Sequence, residues 1–597
     1  MCAISSIYRY DAIHMDDMDK IKCMNNQMVY RGPDGEGYWS DENVVMGHLR
    51  LSVIGLTNGQ QPLFNHDHSA VLVCNGEIFN SIELKDKLQK RGFEFRTNSD
   101  SEVILYLYEL YGEACVNYLR GMYAFCLYDS KKKQLLAARD RMGQEWLYYA
   151  EIPGGVVFSS ELKGILKQYI SDPQLNIQAL LSPLRYVGGT NHRDTFIEQI
   201  KRVQPGEIVI VNSNGLTRKT YWELRRTYDF AGSIEDAKKE TLRLLEESVN
   251  LNMRSDVPVA IMLSGGVDSS AIAAVAKRLG YEVNTITTGY AENFSVDERA
   301  IAKRFASEQG FHYNEIVISR EDYRNSFEEL VTYMDEPVVG STMILQWAMS
   351  KKLKEMGFKV LLGGEGGDEL FYGYPPTNQL AEEHRLIHEH EALFPLSSVK
   401  KKIAFMRFMK KHWKWIISAK YAKIIEENAH SPWLQQHDYA PFISDASLKI
   451  KGQTYVLKDY DIYKGFFPSK RGAEIDTIYD FAIRYVMQSS HLHWAERMSM
   501  GNSIELRSPL LDHIFIEHVM SLPLNYKYMP GNPKQYFKDV LTGIIPDYIL
   551  YAPKQGFSSP RDYINEVVSN YQYKHLQSSY KYFGSIFADA VLDNLLK

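Results

Sequence analysis

The sequence predicts two domains of different fold classes: an α+β domain over residues 1–220 and an α/β domain over residues 230–597. At 597 residues the chain is too long for a single hydrophobic core. The first part shows short strands and hairpins with two helices, which is typical of an α+β fold. From about residue 230 strands alternate with helices, which predicts a doubly wound parallel sheet, and the part after about residue 375 reads mainly as helix.

The individual elements follow from short apolar runs and from glycines that end helices. In the first domain we predict strands at 71–74, 124–128 and 135–138 and helices at 82–91 and 99–111. In the second domain we predict strands at 257–263, 283–288, 315–319 and 359–362, and helices at 269–279, 297–308, 321–334 and 343–356. Ligands of parallel sheets bind at the carboxyl ends of the strands, where Ser264 and Gly363 lie.

The bulk composition excludes several classes of protein. Charged residues make up 24% of the chain and the formal net charge is -6, which argues against a nucleic-acid-binding role. No apolar run is long enough to span a membrane, and the first residues do not form a signal peptide. The five cysteines all lie in the first 130 residues, and an odd number makes a poor disulfide framework. We therefore expect buried free thiols and a cytoplasmic location.

The turn Ser264-Gly265-Gly266 separates a predicted strand from a predicted helix. Glycines let backbone N–H groups approach an anion, and a helix N-terminus favours negative charge. No Gly-Lys-Ser/Thr follows, so the turn is not a Walker A loop. Asp268 adds a carboxylate that suits Mg²⁺. The turn predicts a pyrophosphate site; the alternative is a plain strand–helix turn.

A second glycine-rich turn, Gly363 to Glu369, follows the last predicted strand. Its carboxylates, Glu365, Asp368 and Glu369, cannot cradle a phosphate. They can bind a metal ion or supply a base, and the alternative is a solvated loop.

The chain resembles the glutamine-hydrolysing asparagine synthetases, a family of ATP-dependent amidotransferases, through many motifs in one order. These motifs are Cys2, 31–34 (RGPD), 50–52 (RLS), 75–80 (NGEIFN), 99–102 (SDSE), 264–270 (SGGVDSS), 335–337 (DEP), 364–371 (GEGGDELF), 497–500 (RMSM), 505–512 (ELRSPLLD) and 554–557 (KQGF). The resemblance implies an N-terminal nucleophile αββα sandwich, then an ATP-pyrophosphatase domain, with a channel for ammonia between the two sites.

The resemblance also implies the roles of the first site, which hydrolyses glutamine. Cys2 becomes an N-terminal nucleophile if Met1 is removed, and the free α-amine then serves as its base. The Asn75 side chain and the Gly76 N–H stabilise the oxyanion. The implied glutamine-binding residues are Arg50, Leu51, Ser52, Val53, Ile54, Asn75, Gly76, Glu77 and Asp100, with Arg50 on the α-carboxylate and Asp100 on the α-ammonium.

At the second site the resemblance implies that ATP adenylates a carboxylate, which ammonia then attacks. The implied ATP-binding residues are Leu263, Ser264, Gly265, Gly266, Asp268, Ser269, Thr288, Gly363 and Gly364. Asp268 and Asp368 are implied to bind Mg²⁺, and Lys554 to approach the reacting phosphate. Glu365 is implied to take a proton from ammonia.

Some positions depart from the family pattern. Glu145-Trp146 stands where relatives usually have Lys-Pro. Gly363 stands where they usually have serine, and Gly367 stands where they usually have alanine or serine. The segment 400–423 has the pattern of a basic amphipathic helix, either packed on its own domain or facing an anionic partner.

The expected acceptor is aspartate, giving asparagine, AMP and pyrophosphate. The alternatives are another carboxylate such as a sugar uronate, an intramolecular ring closure, or a silent sensor of nucleotide or glutamine. The sequence leaves open whether the protein forms a homodimer.

Overall fold

The computed structural model describes most residues of the chain. They are residues 2–176, 179, 193–292, 294, 297–336, 342–375, 378, 447–450, 453–456, 474–552, 559–577 and 583–596. Lys554 and the basic segment 400–423 lie outside the described residues.

Two six-stranded antiparallel sheets form the first part of the chain. The first sheet has the strand order β10-β8-β9-β1-β3-β2 and the second β12-β11-β7-β6-β5-β4. Their strands are β1 Ala3–Arg9, β2 Gly35–Ser40, β3 Val44–Arg50, β4 Leu63–Phe64, β5 Ala70–Ile78, β6 Gly121–Asp129, β7 Gln134–Arg139, β8 Tyr148–Ile152, β9 Gly155–Ser159, β10 Lys201–Arg202, β11 Glu207–Asn212 and β12 Gly215–Thr220.

The sheets face each other and carry helices on their outer surfaces. Ile4 and Tyr8 of β1 meet Val71 and Val73 of β5 in a buried core between the sheets, whereas Ile7 faces the helical side. This alternation is what a strand buried on both faces requires. The outer helices are Asp17–Asn26 and Leu162–Tyr169 on one side and Ser81–Gln89 and Glu102–Tyr111 on the other. The αββα sandwich implied by the resemblance is confirmed.

A five-stranded parallel sheet with the order β15-β14-β13-β16-β19 forms the centre of the second part. Its strands are β13 Val259–Met262, β14 Asn284–Tyr290, β15 His312–Ile318, β16 Val360–Leu362 and β19 Glu505–Arg507. The connecting helices are Val267–Arg278, Arg299–Gln309, Arg320–Tyr333 and Thr342–Glu355, preceded by Ile234–Asn252. The predicted doubly wound α/β domain is confirmed, and every strand predicted for it is present.

The C-terminal part is mainly helical, as predicted, but it also contains strands that the sequence did not predict. β17 Ser447–Ile450 pairs with β18 Gln453–Val456 and with β20 Leu576–Gln577. These strands and β19 have two to four residues each, which is too short for a two-residue alternation to stand out.

The remaining helices follow β16 and β19. They are Gly367–Leu370, Glu474–Phe481, the π-helix Ala482–His491, Leu492–Met500, His513–Ser521, Leu524–Lys527, Gln535–Val540, Asp547–Leu550, Arg561–Asn570 and Phe583–Leu596. No helix within the described ranges is both long and apolar enough to cross a membrane.

The cysteines carry free thiols. Cys74, Cys115 and Cys126 are buried, as expected, and Cys2 is buried as well. Cys23 is exposed on the outer helix Asp17–Asn26, so the expectation of a buried side chain was wrong for it.

Candidate active sites

The predicted nucleophile and its predicted oxyanion donor lie side by side. Cys2 directly precedes β1, and Asn75 lies on β5 of the facing sheet. The Cys2 N–H donates to Asn75 Oδ1 at 2.6 Å, and Cys2 Sγ lies 4.0 Å from the Leu51 carbonyl oxygen. Burial raises the pKa of the Cys2 thiol to about 11, so the thiol is protonated near neutral pH. A base must therefore accept its proton when it attacks.

Gly76 is required by its backbone conformation and by its surroundings. Its φ is +126°, and an added Cβ would lie 2.1 Å from the Met122 carbonyl oxygen on β6. A side chain at this position would force β5 and β6 apart. Glycine therefore keeps the backbone beside Asn75 in place.

The loop after β3 lies next to the thiol and is held by Arg50. Arg50 Nη2 donates to the carbonyl oxygens of Gly55 at 2.6 Å and Ile54 at 3.2 Å. Ser52 N donates to Asp34 Oδ2 at 2.7 Å, while Leu51 and Val53 are buried. The predicted residues Arg50 to Ile54 thus form one fixed wall near Cys2.

Two buried carboxyl groups complete this site. Asp100 Oδ2 accepts a hydrogen bond from Ile78 N at 2.6 Å. Burial, the nearby Asp100 and then Glu505 raise the pKa of Glu77 well above its ordinary value, and burial raises that of Asp100. A cationic ligand group would relieve this crowding of carboxyl groups.

The second domain contributes charged residues to the first site, which the sequence did not predict. Arg507 Nη2 lies 3.5 Å from Glu77 Oε1, and Arg507 Nε donates to Glu505 Oε1 at 2.6 Å. Arg31 Nε donates to the Cys2 carbonyl oxygen at 3.1 Å, and its Nη2 pairs with Glu496 of the second domain. In the sequence, the charged residues Glu505 and Arg507 flank the apolar Leu506. This alternation was the one signal from which a strand with two charged side chains on the same face could have been predicted.

The predicted nucleotide turn begins at the end of β13. Ser264 Oγ and Ser269 Oγ are 3.0 Å apart, and Gly266 N donates to Ser264 Oγ at 3.3 Å. Gly265 has a φ of +76°, and the helix Val267–Arg278 begins immediately afterwards. The turn therefore presents backbone N–H groups at a helix N-terminus, which is an arrangement that binds anions.

Two further residues that were predicted to bind ATP lie where the end of β13 meets the neighbouring strand β14. Leu263 N donates to the Ile286 carbonyl oxygen of β14 at 2.9 Å. Thr288, also on β14, has a buried Oγ1 with no hydrogen-bond partner among the described residues.

The acidic turn after β16 contacts the nucleotide turn. A Cβ added to Gly364 would lie 3.1 Å from the Cβ of Asp268, and one added to Gly367 would lie 2.4 Å from the Asp268 Cγ. A Cβ at Gly363 would lie 2.2 Å from a Glu365 oxygen. The glycines that replace serine and alanine in this chain therefore leave room for Asp268 and Glu365.

Lys534 joins the two turns, and the sequence did not predict it. Its ammonium group pairs with both Asp268 and Asp368, the two expected metal ligands. The pocket between these carboxylates thus accommodates a cation. Two carboxylates also suit Mg²⁺, which takes few protein ligands and fills its remaining positions with phosphate and water oxygens.

Glu365 lies beside these carboxylates. Ser508 Oγ donates to Glu365 Oε2 at 3.0 Å, and burial raises the pKa of Glu365. Ser508 directly follows β19, so this contact connects neighbouring strands of the parallel sheet. A raised pKa makes the Glu365 carboxylate a better proton acceptor.

A thiol beside an amide donor in an αββα sandwich, joined to a parallel sheet with paired glycine-rich turns, defines a two-site amidotransferase. Residues 1–222 match the family model for the glutamine amidotransferase domain, and residues 240–597 match that for asparagine synthase. Because the second match covers more than half of the chain, the chain belongs to the asparagine synthase family. It is an enzyme of glutamine-dependent, ATP-driven amidation.

Similar curated proteins span nearly the whole chain. Asparagine synthetase [glutamine-hydrolyzing] 1 of Bacillus subtilis (strain 168) is 32% identical over 96% of this chain and 89% of its own length. Asparagine synthetase [glutamine-hydrolyzing] 3 of the same strain is 28% identical over 93% and 87%. Amidase chyE of Penicillium rubens is 28% identical over 92% and 85%.

Proposed function

We propose that the protein makes asparagine from aspartate, glutamine and ATP, with ammonia passing from the Cys2 site to the Glu365 site. The contact between Cys2 N and Asn75 Oδ1 at 2.6 Å carries the proposal for the first site. The glycine-rich turns that meet at Asp268 support the second.

At the first site the Cys2 sulfur attacks the side-chain carbonyl carbon of glutamine. Because burial keeps the thiol protonated, its proton passes to the α-amine that removal of Met1 would free. Asn75 Nδ2 and the Gly76 N–H stabilise the oxyanion. Collapse breaks the C–N bond while the α-ammonium returns its proton to the departing nitrogen, which releases ammonia and leaves a thioester that water hydrolyses to glutamate.

Glutamine is held by charges of both signs. The guanidinium of Arg50 binds its α-carboxylate beside the 51–54 wall. Asp100 binds its α-ammonium, and Glu77 lies close enough to share that charge. The ammonium thereby adds a second positive charge, besides that of Arg507, beside these crowded carboxyl groups.

At the second site the carboxylate acceptor attacks the α-phosphorus of ATP, pyrophosphate leaves, and an acyl-adenylate forms. The N–H groups of Gly265 and Gly266 and the helix N-terminus after them bind the pyrophosphate. Asp268 and Asp368 would hold Mg²⁺, which neutralises phosphate charge when bound. Leu263 and Gly364 contact the nucleoside, and Lys554 approaches the reacting phosphate.

Glu365 acts in the last step. Ammonia attacks the activated carbonyl carbon, the surplus proton moves to the Glu365 carboxylate, and AMP leaves. The hydrogen bond from Ser508 orients this carboxylate.

The acceptor is tested by measuring pyrophosphate release with ammonium as the nitrogen donor, over a panel of carboxylic acids. We expect release with aspartate and formation of asparagine, since relatives that span the chain are named as asparagine synthetases. None of the three relatives described above is named for a sugar uronate, but the one named as an amidase justifies a broad panel. Release with another acid and none with aspartate would contradict the assignment of the acceptor.

Location and assembly extend the proposal. A cytoplasmic location fits the free thiols at all five cysteines, which a reducing compartment preserves. A homodimer can be tested by light scattering of the purified protein. No affinity for nucleic acid is expected at a net charge of -6.

A further inference from the structure

Glu145 is a buried carboxyl group in contact with the proposed oxyanion donor, and the mechanism above gives it no role. The residue has no exposed surface. Its Oε2 accepts a hydrogen bond from Asn75 Nδ2 at 2.6 Å. The oxygen of the same amide, Asn75 Oδ1, accepts the hydrogen bond from Cys2 N. The amide is therefore held on one side by the nucleophilic residue and on the other by Glu145.

The backbone around Glu145 is fixed on both sides. Glu145 N donates to Asp140 Oδ2 at 2.9 Å, and Arg139 Nε donates to the Glu145 carbonyl oxygen at 2.5 Å. Next in sequence, the buried Trp146 ring lies 4.6 Å from the ring of His493 in the second domain. The side chain of Glu145 is thus presented from a rigid segment at the junction of the two domains.

The terminal torsion of an asparagine side chain is broad and roughly two-fold, so an unrestrained amide can exchange its oxygen and nitrogen. The exchange would turn Oδ1, an acceptor, toward the place where the oxyanion develops. An acceptor at Nδ2 prevents it and leaves the second N–H of Nδ2 for the oxyanion. Lysine, which the family pattern has at position 145, offers only donors and could not make this bond.

We propose that Glu145 is a positioning residue for glutamine hydrolysis, which holds the Asn75 amide with Nδ2 toward the oxyanion. The inference rests on the proposed function of the Cys2 site. It adds a residue that acts through Asn75 and does not touch the substrate.

The second carboxyl oxygen argues against a purely structural role. Glu145 Oε1 is buried and has no hydrogen-bond partner within the part of the chain that the structure describes. A half-satisfied buried carboxyl group costs folding free energy, because its hydration is lost without full replacement. Its contact with Asn75 is therefore better explained by catalysis than by stability.

Burial favours the neutral form of Glu145, and the charges around it are of both signs. Glu496 on the helix Leu492–Met500 and Asp140 face it with negative charge, and Arg31, Arg139 and the N-terminal amine face it with positive charge. Burial, and then the charge of Glu496, raise the pKa of Glu145 to about 8. Near neutral pH the group is thus mainly an uncharged acceptor, which orients Asn75 without opposing the oxyanion.

The first experiment compares Glu145→Ala and Glu145→Gln by glutamate release from glutamine. We expect Glu145→Ala to lower kcat roughly tenfold to hundredfold with little change in KM, because one oxyanion donor loses its orientation. Glu145→Gln retains a carbonyl acceptor and should keep kcat within about threefold of the wild type. Wild-type kcat in Glu145→Ala would overturn the inference.

A double-mutant cycle tests whether Glu145 acts through Asn75. Once Asn75→Ala has removed the amide, adding Glu145→Ala should cause no further loss of kcat. A further loss as large as that in the wild-type background would show that Glu145 acts independently, and would overturn the inference.

The pH dependence gives a readout that a structural role would not move. Since the carboxylate forms as pH rises through the raised pKa, the ratio of Glu145→Gln to wild-type kcat should increase from pH 7 to about pH 9. A constant ratio would contradict the inference, and the ratio stays informative even if Glu145→Ala fails to fold.

Two controls separate the possible failures. Ammonium-dependent pyrophosphate release by each variant reports on folding of the second site, and Glu151→Ala removes an exposed carboxylate from β8 of the same domain. A wild-type protein that hydrolyses no glutamine would refute the proposed function and this inference together. Hydrolysis by the wild type and undiminished hydrolysis by Glu145→Ala would refute the inference alone.

Discussion

Lys534 Nζ lies 2.7 Å from Asp368 Oδ1 and also pairs with Asp268, so one ammonium group connects the two glycine-rich turns of the nucleotide site. Burial lowers the pKa of Lys534, but the two carboxylates outweigh that effect and hold it above its ordinary value. The lysine therefore stays charged, and its charge keeps the two carboxylates together.

Lys534→Ala should impair the second site only. Without the ammonium group Asp268 and Asp368 repel each other, and we expect ammonium-dependent pyrophosphate release to fall roughly ten- to hundredfold. Glutamine hydrolysis should continue. The matched control is Lys538→Ala, because Lys538 lies on the helix Gln535–Val540 that Lys534 precedes and its ammonium group lies over the Tyr551 ring. Equal loss of both activities in Lys534→Ala would count against the expected role.

Cys2→Ala should separate the two half-reactions in the opposite direction. Removal of the nucleophile should lower glutamine-dependent synthesis by roughly a thousandfold or more, because no thioester can form. Synthesis from added ammonium should persist, as measured by asparagine formation. If both nitrogen sources failed equally, the assignment of two separate sites would be wrong.

Glu365→Gln should spare glutamine hydrolysis and slow synthesis. Glutamine keeps an acceptor for the Ser508 hydroxyl but cannot take a proton. We expect synthesis from ammonium to fall by roughly 10²–10⁴-fold, which is the usual effect of losing a general base. Glutamate and asparagine measured in one assay give both rates. Undiminished synthesis would exclude Glu365 as the base.

Asp512→Ala should destabilise the junction of the domains. Arg120 Nε and Nη2 donate to the buried Asp512 carboxylate at 2.6 and 2.9 Å, and Asp512 also caps the helix His513–Ser521. We expect the free energy of unfolding to fall by about 2–4 kcal/mol, as Glu247 partly compensates Arg120.

Urea unfolding measures this loss. The matched control is Glu83→Ala, which breaks the more exposed pair between Glu83 and Arg254 and should cost less than about 1 kcal/mol. Equal losses in the two variants would contradict the role given to burial.

A second buried pair should make stability depend on pH. Burial raises the pKa of Asp335, but Arg497 and His493 hold it well below its ordinary value. Such a depressed pKa stabilises the fold above the unfolded value of about 3.9, and the contribution is lost as pH falls toward the folded value.

Asp335→Asn should therefore be less stable than the wild type by about 3–5 kcal/mol at pH 7, with the same difference at pH 5. The difference should narrow near pH 3. The unfolding free energies of the two proteins at pH 7, 5 and 3 test this expectation. If the difference in stability grew as the pH fell, the depressed pKa given to Asp335 would be wrong.

Contiguous motifs made much of the fold and the site predictable. The strand–turn–helix around Ser264 appears in the structure as predicted, because its glycines and its apolar flanks lie within one short segment. Cys2 and Asn75 were expected to meet through the resemblance, and they do.

The missed residues depend on contacts between distant parts of the chain. Glu145 contacts Asn75, which is 70 residues away in the sequence, and Lys534 contacts Asp268, which is 266 residues away. A lone buried charge has no sequence periodicity, so only the folded chain brings these pairs together. The short strand β19 was missed for a related reason, since three residues carry too little pattern.

Arg507 belongs physically to both reaction centres. Its carbonyl oxygen accepts the hydrogen bond from Gly363 N at 2.9 Å, while its guanidinium faces Glu77. The first domain on its own would lack Arg507, the cation beside the buried Glu77, and should therefore hydrolyse glutamine less well than the intact enzyme. A substitution at position 507 would remove the guanidinium from Glu77 but keep the carbonyl oxygen that accepts from Gly363 N, so it should affect glutamine use more directly than ATP use.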